Sequence, residues 1–168
     1  MGRIVVAARA ALRLVPLVAA LLAGCGVLHH DVTIAQEIKV GGGAPTASGQ
    51  IDAAALTTPL VASAGELSKL SSVTLQSARL EATDGDLTFV DSVTLRIASS
   101  NGLPDVLLAT LPAHAAAGQT SIELSVDSKR DLRAYLAAGS QLKADLAFAP
   151  RPVVARGLKL TLVVRGSL

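Results

Sequence analysis

From Asp31 the chain alternates. Val32, Ile34, Gln36, Ile38 and Val40 fall on one face, with Thr33, Ala35, Glu37 and Lys39 on the other. A period of two over this length predicts a half-buried strand, which Gly41-Gly-Gly43 ends. The same pattern returns downstream. Val73, Leu75, Ala78, Leu80 and Ala82 alternate with a slip of phase near Ser77, which predicts a bulge or bend. Thr83-Asp-Gly-Asp86 predicts a turn with a glycine available for positive φ, and Leu87–Phe89 and Val93–Ile97 read as the next strands. Val106–Leu111 is a continuous apolar run. Three alternating runs follow: Ile122, Leu124, Val126; Leu142, Ala144, Leu146, Phe148; and Leu158, Leu160, Leu162, Val164.

Helical signals are few. Ile51–Leu60 is Ala-rich, which suits a helix, yet Thr57-Thr58-Pro59 breaks one, so it stays open between the two. Ser63-Ala-Gly-Glu66 has capping-box spacing before Leu67 and Leu70, predicting one or two turns. The clearest helix lies between Val126 and Leu142. Ser128 stands as cap with Asp131 at N3, Leu132, Tyr135 and Leu136 share a face, and Gly139 sits where a terminating glycine belongs. About seven or eight short strands with one or two short helices predict an all-β antiparallel β-sandwich, with a β-barrel as the competing architecture.

The first 24 residues follow a different rule. Arg3, Arg9 and Arg13 precede the apolar run Leu14–Ala23, the layout of a secretory signal peptide. That run is shorter than the roughly 20 residues a membrane span needs. It ends in Leu22-Ala23-Gly24-Cys25, which resembles the lipobox of bacterial lipoproteins. The resemblance covers only the signal segment and transfers no catalytic residue. It implies cleavage before Cys25, acylation of that cysteine, and the membrane as partner through the attached lipid. Gly26 stands where many such proteins carry an inner-membrane retention Asp, so the resemblance implies the outer membrane, facing the periplasm or the cell surface. The expected division is a signal peptide over 1–24, a lipidated tether over 25–30, and a β-sandwich domain over 31–168.

Cleavage also changes the charge. The 168 residues hold 15 Lys and Arg against 13 Asp and Glu, a net of +2. Three of those arginines and none of the acids lie before Cys25, so residues 25–168 carry 12 basic and 13 acidic groups, a net of −1. No electrostatic argument for nucleic acid survives. With one cysteine there is no internal disulfide, and 2% aromatic residues is poor provision for stacking sugars or bases.

Candidate chemistry is sparse. His29-His30-Asp31 has metal-ligand types, but adjacent residues in a tether rarely converge on one ion. His114 has no acid near it in sequence and reads as a surface histidine. Glu81, Asp84, Asp86 and Asp91 lack the spacing of a calcium loop and read as exposed acids around a turn. No nucleophile elbow or phosphate loop is present. Lys129, Arg130, Arg133, Arg151, Arg156, Lys159 and Arg165 read as solvated charges that could meet headgroups or an acidic partner. The expectation is a non-enzymatic protein without cofactor or metal: an envelope module that binds or supports. A carrier of lipid or another apolar ligand is the alternative, motivated by Val106–Leu111.

Overall fold

The computed structural model describes residues 28–99 and 102–168. In chain order the elements are β1 (His29–Val40), β2 (Thr46–Asp52), α1 (Ala53–Ala64), a 3-10 turn (Leu67–Lys69), β3 (Ser72–Ala82), β4 (Val90–Ala98), β5 (Val106–Leu111), β6 (Ser121–Glu123), β7 (Ser125–Val126), α2 (Arg133–Ala137), β8 (Gln141–Phe148) and β9 (Arg156–Ser167). They form two antiparallel sheets, in orders β1-β9-β3-β6 and β2-β8-β4-β5-β7. The expected β-sandwich is present, and neither sheet closes into a barrel.

The pairings share one logic. β1 pairs with β9 and β3 with β6 in the first sheet, while β2 pairs with β8 and β4 with β5 in the second. These are the rungs of a single long hairpin, rolled up so that successive rungs fall in alternate sheets. That is the jelly-roll form of a sandwich.

The strongest alternation in the sequence becomes the middle of the first sheet. Leu158, Leu160, Leu162 and Val164 of β9 point inward and are buried, opposite Ile34 and Ile38 of β1 and Leu80 of β3. β3 breaks register between Leu75 and Ser77, where the phase slip predicted it. In the second sheet Leu142, Ala144, Leu146 and Phe148 of β8 face inward beside Val93, Leu95 and Ile97 of β4. One contiguous apolar cluster fills the space between the sheets.

Several expectations are corrected. Ile122–Val126 is one alternating run but two strands. Ser121–Glu123 pairs with β3, Ser125–Val126 pairs with β5, and buried Leu124 donates its N–H to Ala78 at 2.7 Å as the chain crosses between sheets. This division, together with the strand β2 at Thr46–Asp52 that no alternation marked, brings the described residues to nine strands. Leu87–Phe89 is no strand; Leu87 N–H bonds Gln119 and Val90 N–H returns to Leu87, making an irregular connection that buries Leu87 and Phe89. β1 opens at His29, inside the stretch read as tether, because its pairing with β9 continues to His29 opposite Ser167.

The helices differ too. α1 runs through Pro59: Asp52 caps it by accepting the Ala54 N–H at 3.0 Å, and Leu56 and Leu60 bury one face. A proline removes one helix bond, and here the apolar stripe outweighs that loss. Gly65, at φ 84°, ends α1, and the single turn expected after Ser63–Glu66 is present as the 3-10 turn Leu67–Lys69, which opens at Glu66 without a side-chain cap. α2 is shorter than its sequence suggested and begins after Leu132. Its start is set by Asp131, whose Oδ1 accepts the Arg133 N–H at 3.1 Å, and Ser128 does not cap it. Tyr135 and Leu136 are buried and Gly139 takes φ 67°, as the pattern implied.

Candidate functional site

Strand directions give the sandwich two unlike ends. The connections 41–45, 83–89, 112–120 and 149–155 gather at one, the loop end. Backbone bonds hold them together: Gly43 N–H to Pro152 at 2.6 Å, Thr83 N–H to Gly157 at 3.0 Å, and Ala149 N–H to Phe89 at 3.1 Å. Val153 stands 94% exposed at the tip of this end, beside exposed Val154 and Arg151. At the other end, the helix end, lie α1, the 3-10 turn, α2, the start of β1 and the end of β9.

The sequence candidates scatter over this frame. His29 and Asp31 lie on the outer face of β1 and His30 on the inner, because neighbours in a strand alternate. Asp31 accepts two bonds from Arg165, Nε and Nη2 both at 2.7 Å, and His29 Nδ1 meets Ser167 Oγ at 3.0 Å. The guanidinium holds the Asp31 carboxyl below the usual range. His29 and Asp31 therefore serve the β1–β9 seam, and His30 on the opposite face shares no ligand position with them.

The acids around the turn go to four separate partners. Glu81 meets Arg79 at 3.3 Å, and Asp84 meets Arg156 at 3.6 Å. Asp86 accepts the Thr88 N–H at 3.0 Å, which lowers its carboxyl. Asp91 is the extra residue of a bulge in β4, and its Oδ1 lies 3.1 Å from His114 Nδ1. His114 thus has an acid beside it that the sequence did not bring near, and it occupies positive φ at 61°. Its imidazole stays exposed. Among the described residues, no group of three His, Cys, Asp or Glu could hold a metal ion. Cys25, the candidate lipidation site, and the signal segment lie outside the described residues.

Three surface hollows stand out. One, about 420 Å³, lies on the solvent face of the second sheet and is mixed in character, with Ser48, Ser92, Thr94 and Asp145 in its wall beside Ala47 and Ala147. A smaller one at the loop end sits between Asp86, Phe89, Pro150 and Arg156. The third is apolar, about 640 Å³, and lies at the helix end between Leu67 of the 3-10 turn and Ala134 and Ala137 of α2. Asp131 and Arg133 border it, their side chains paired at 2.7 Å. Sequence reading missed this hollow, because its two walls lie over 60 positions apart and neither has a motif of its own. No helix among the described residues is long and apolar enough to cross a membrane.

No protein-family model matches the chain, and no curated protein matches it. Among solved structures it is similar to that of Desmodium yellow mottle tymovirus, at 9% identity over 84% of this chain and 89% of that one, with a TM-score of 0.32. It is also similar to that of Cocksfoot mottle virus, at 10% identity over 100% of this chain and 97% of that one, with a TM-score of 0.35. The empty head of turnip yellow mosaic virus gives 10%, 99%, 92% and 0.33 respectively. At such TM-scores these likenesses carry no argument about the chain.

Proposed function

We propose that the chain is a bacterial lipoprotein, anchored by acylated Cys25, whose sandwich serves the cell envelope as a non-catalytic binding or structural module. The observation that carries this is Leu22-Ala23-Gly24-Cys25, placed after a short apolar run and only four positions before the first strand. A diacylglyceryl group with an amide-linked chain gives stable attachment without help from the polypeptide, since more than one chain turns marginal binding into firm binding. Gly26 supports the outer membrane, with the domain facing the periplasm or the surface.

The non-catalytic reading draws on the scatter of reactive groups: Asp31 pairs with Arg165, Glu81 with Arg79, Asp84 with Arg156 and Asp91 with His114, at separate places on the surface. A carrier of apolar ligand is the competing reading. It calls for a cavity between the sheets, and that space is taken by the contiguous core.

Intact-mass analysis of protein extracted from membranes tests the proposal. The expected mass lacks residues 1–24 and gains two or three acyl chains, and Cys25→Ser leaves an unacylated product. An unmodified, full-length wild-type chain would sink the reading.

A further inference from the structure

We infer that the helix end of the sandwich rests against the lipid surface and the loop end points away from it. This rests on the reading of Cys25 as the lipid-bearing residue. Three peptide links separate Cys25 from Leu28, a reach of at most about 11 Å. Leu28 is fixed to the domain, because its carbonyl accepts the Leu168 N–H at 2.9 Å. β1 then carries the chain about 36 Å toward the loop end, at some 3.3 Å per residue. A tether that short holds its own end of the domain at the bilayer.

What lies at that end suits a bilayer. Leu28 is 66% exposed and Leu168 39%. Ser71 N–H bonds Ser167 at 2.7 Å, and Arg133 Nη1 bonds the Leu70 carbonyl at 2.8 Å, so the surface continues from this pair of leucines to α2. There the apolar hollow opens, with Leu67 on one wall and exposed Ala134 and Ala137 on the other. Arg133 stands at its border, its guanidinium paired with Asp131 at 2.7 Å. Exposed leucines and an apolar hollow at the attachment point favour lipid as the occupant.

Depth-dependent quenching tests the orientation. With Cys25 acylated, Ala134→Cys or Val153→Cys supplies the free thiol in lipidated protein, and both positions are exposed enough to leave the fold intact. Each is labelled with an environment-sensitive fluorophore and reconstituted into phosphatidylethanolamine–phosphatidylglycerol vesicles containing nitroxide-labelled lipid. The label at 134 should lose most of its emission, and the label at 153 should keep nearly all of it. Equal quenching, or stronger quenching at 153, in protein that floats with the vesicles overturns the orientation and leaves the anchor standing. Failure to float with the vesicles overturns the anchor, and the orientation with it.

Discussion

Asp131 holds the backbone of Val73. Its Oδ1 accepts the Val73 N–H at 3.1 Å across 58 positions, while Leu132 N–H returns to the Val73 carbonyl at 2.7 Å. One carboxylate thereby pins the start of β3 to the start of α2, where the same oxygen accepts the Arg133 N–H at 3.1 Å. Asp131→Ala strands the N–H groups of Val73, which is fully buried, and of Arg133. The expected cost is about 1–3 kcal/mol, read as a lower urea midpoint. An unchanged midpoint would show that water replaces the carboxylate.

The same residue predicts an acid limb. Burial pushes the Asp131 carboxyl up, but bonds from the Arg133 side chain and from the N–H groups of Arg133 and Val73 together hold it below the ordinary value. A carboxyl lowered in the folded state stabilises fully above its unfolded value and loses that contribution as pH falls through the folded one. The stability gap between wild type and Asp131→Asn should therefore be constant from neutrality to about pH 5 and shrink below the ordinary value of 3.8. Urea unfolding at stepped pH measures it, and a gap that widens in acid would reverse the assignment.

Leu160 and Lys159 are neighbours in β9 with opposite fates, one in the core and one exposed. Leu160→Ala should cost about 2–5 kcal/mol and Lys159→Ala no more than about 0.5. Since β9 lies between β1 and β3, removing residues 156–168 takes the centre out of the sheet and should abolish cooperative unfolding.

Gly166 ends the inward row of β9, where a Cβ would stand 3.0 Å from Leu60 Cδ2 and 3.2 Å from Leu70. The missing side chain is what lets α1 seat Leu60 on the sheet. Gly166→Ala should cost about 1–3 kcal/mol by overpacking. In a Leu60→Ala background the added methyl should cost measurably less, and a double-mutant cycle in thermal unfolding reads the coupling. Additive effects would mean the two positions do not touch.

What the sequence made legible was whatever depends on near neighbours. β9 could be read from its leucines, the β3 bulge from a slip of phase, and the turn at Gly85 from its residue types. What stayed hidden depends on partners far away. Nothing local marks Leu124 as the crossing between sheets, since both halves of that run obey one alternation. α1 ignores a proline because Leu56 and Leu60 have a core to enter, and Leu87–Phe89 bends because Gln119 takes its backbone bond. Asp91 and His114 meet only through the bulge. The apolar hollow needs α2 laid beside the 3-10 turn, which no window of sequence contains.

The rolled hairpin also imposes an order of events. β1 comes first in the chain, and its ladder partner is β9, the last strand. During synthesis β1 emerges early and stays unpaired until residues 156–167 arrive. Such distant pairing makes for slow closure and a long-exposed strand edge. β1 should therefore depend on a holding chaperone until β9 has been made.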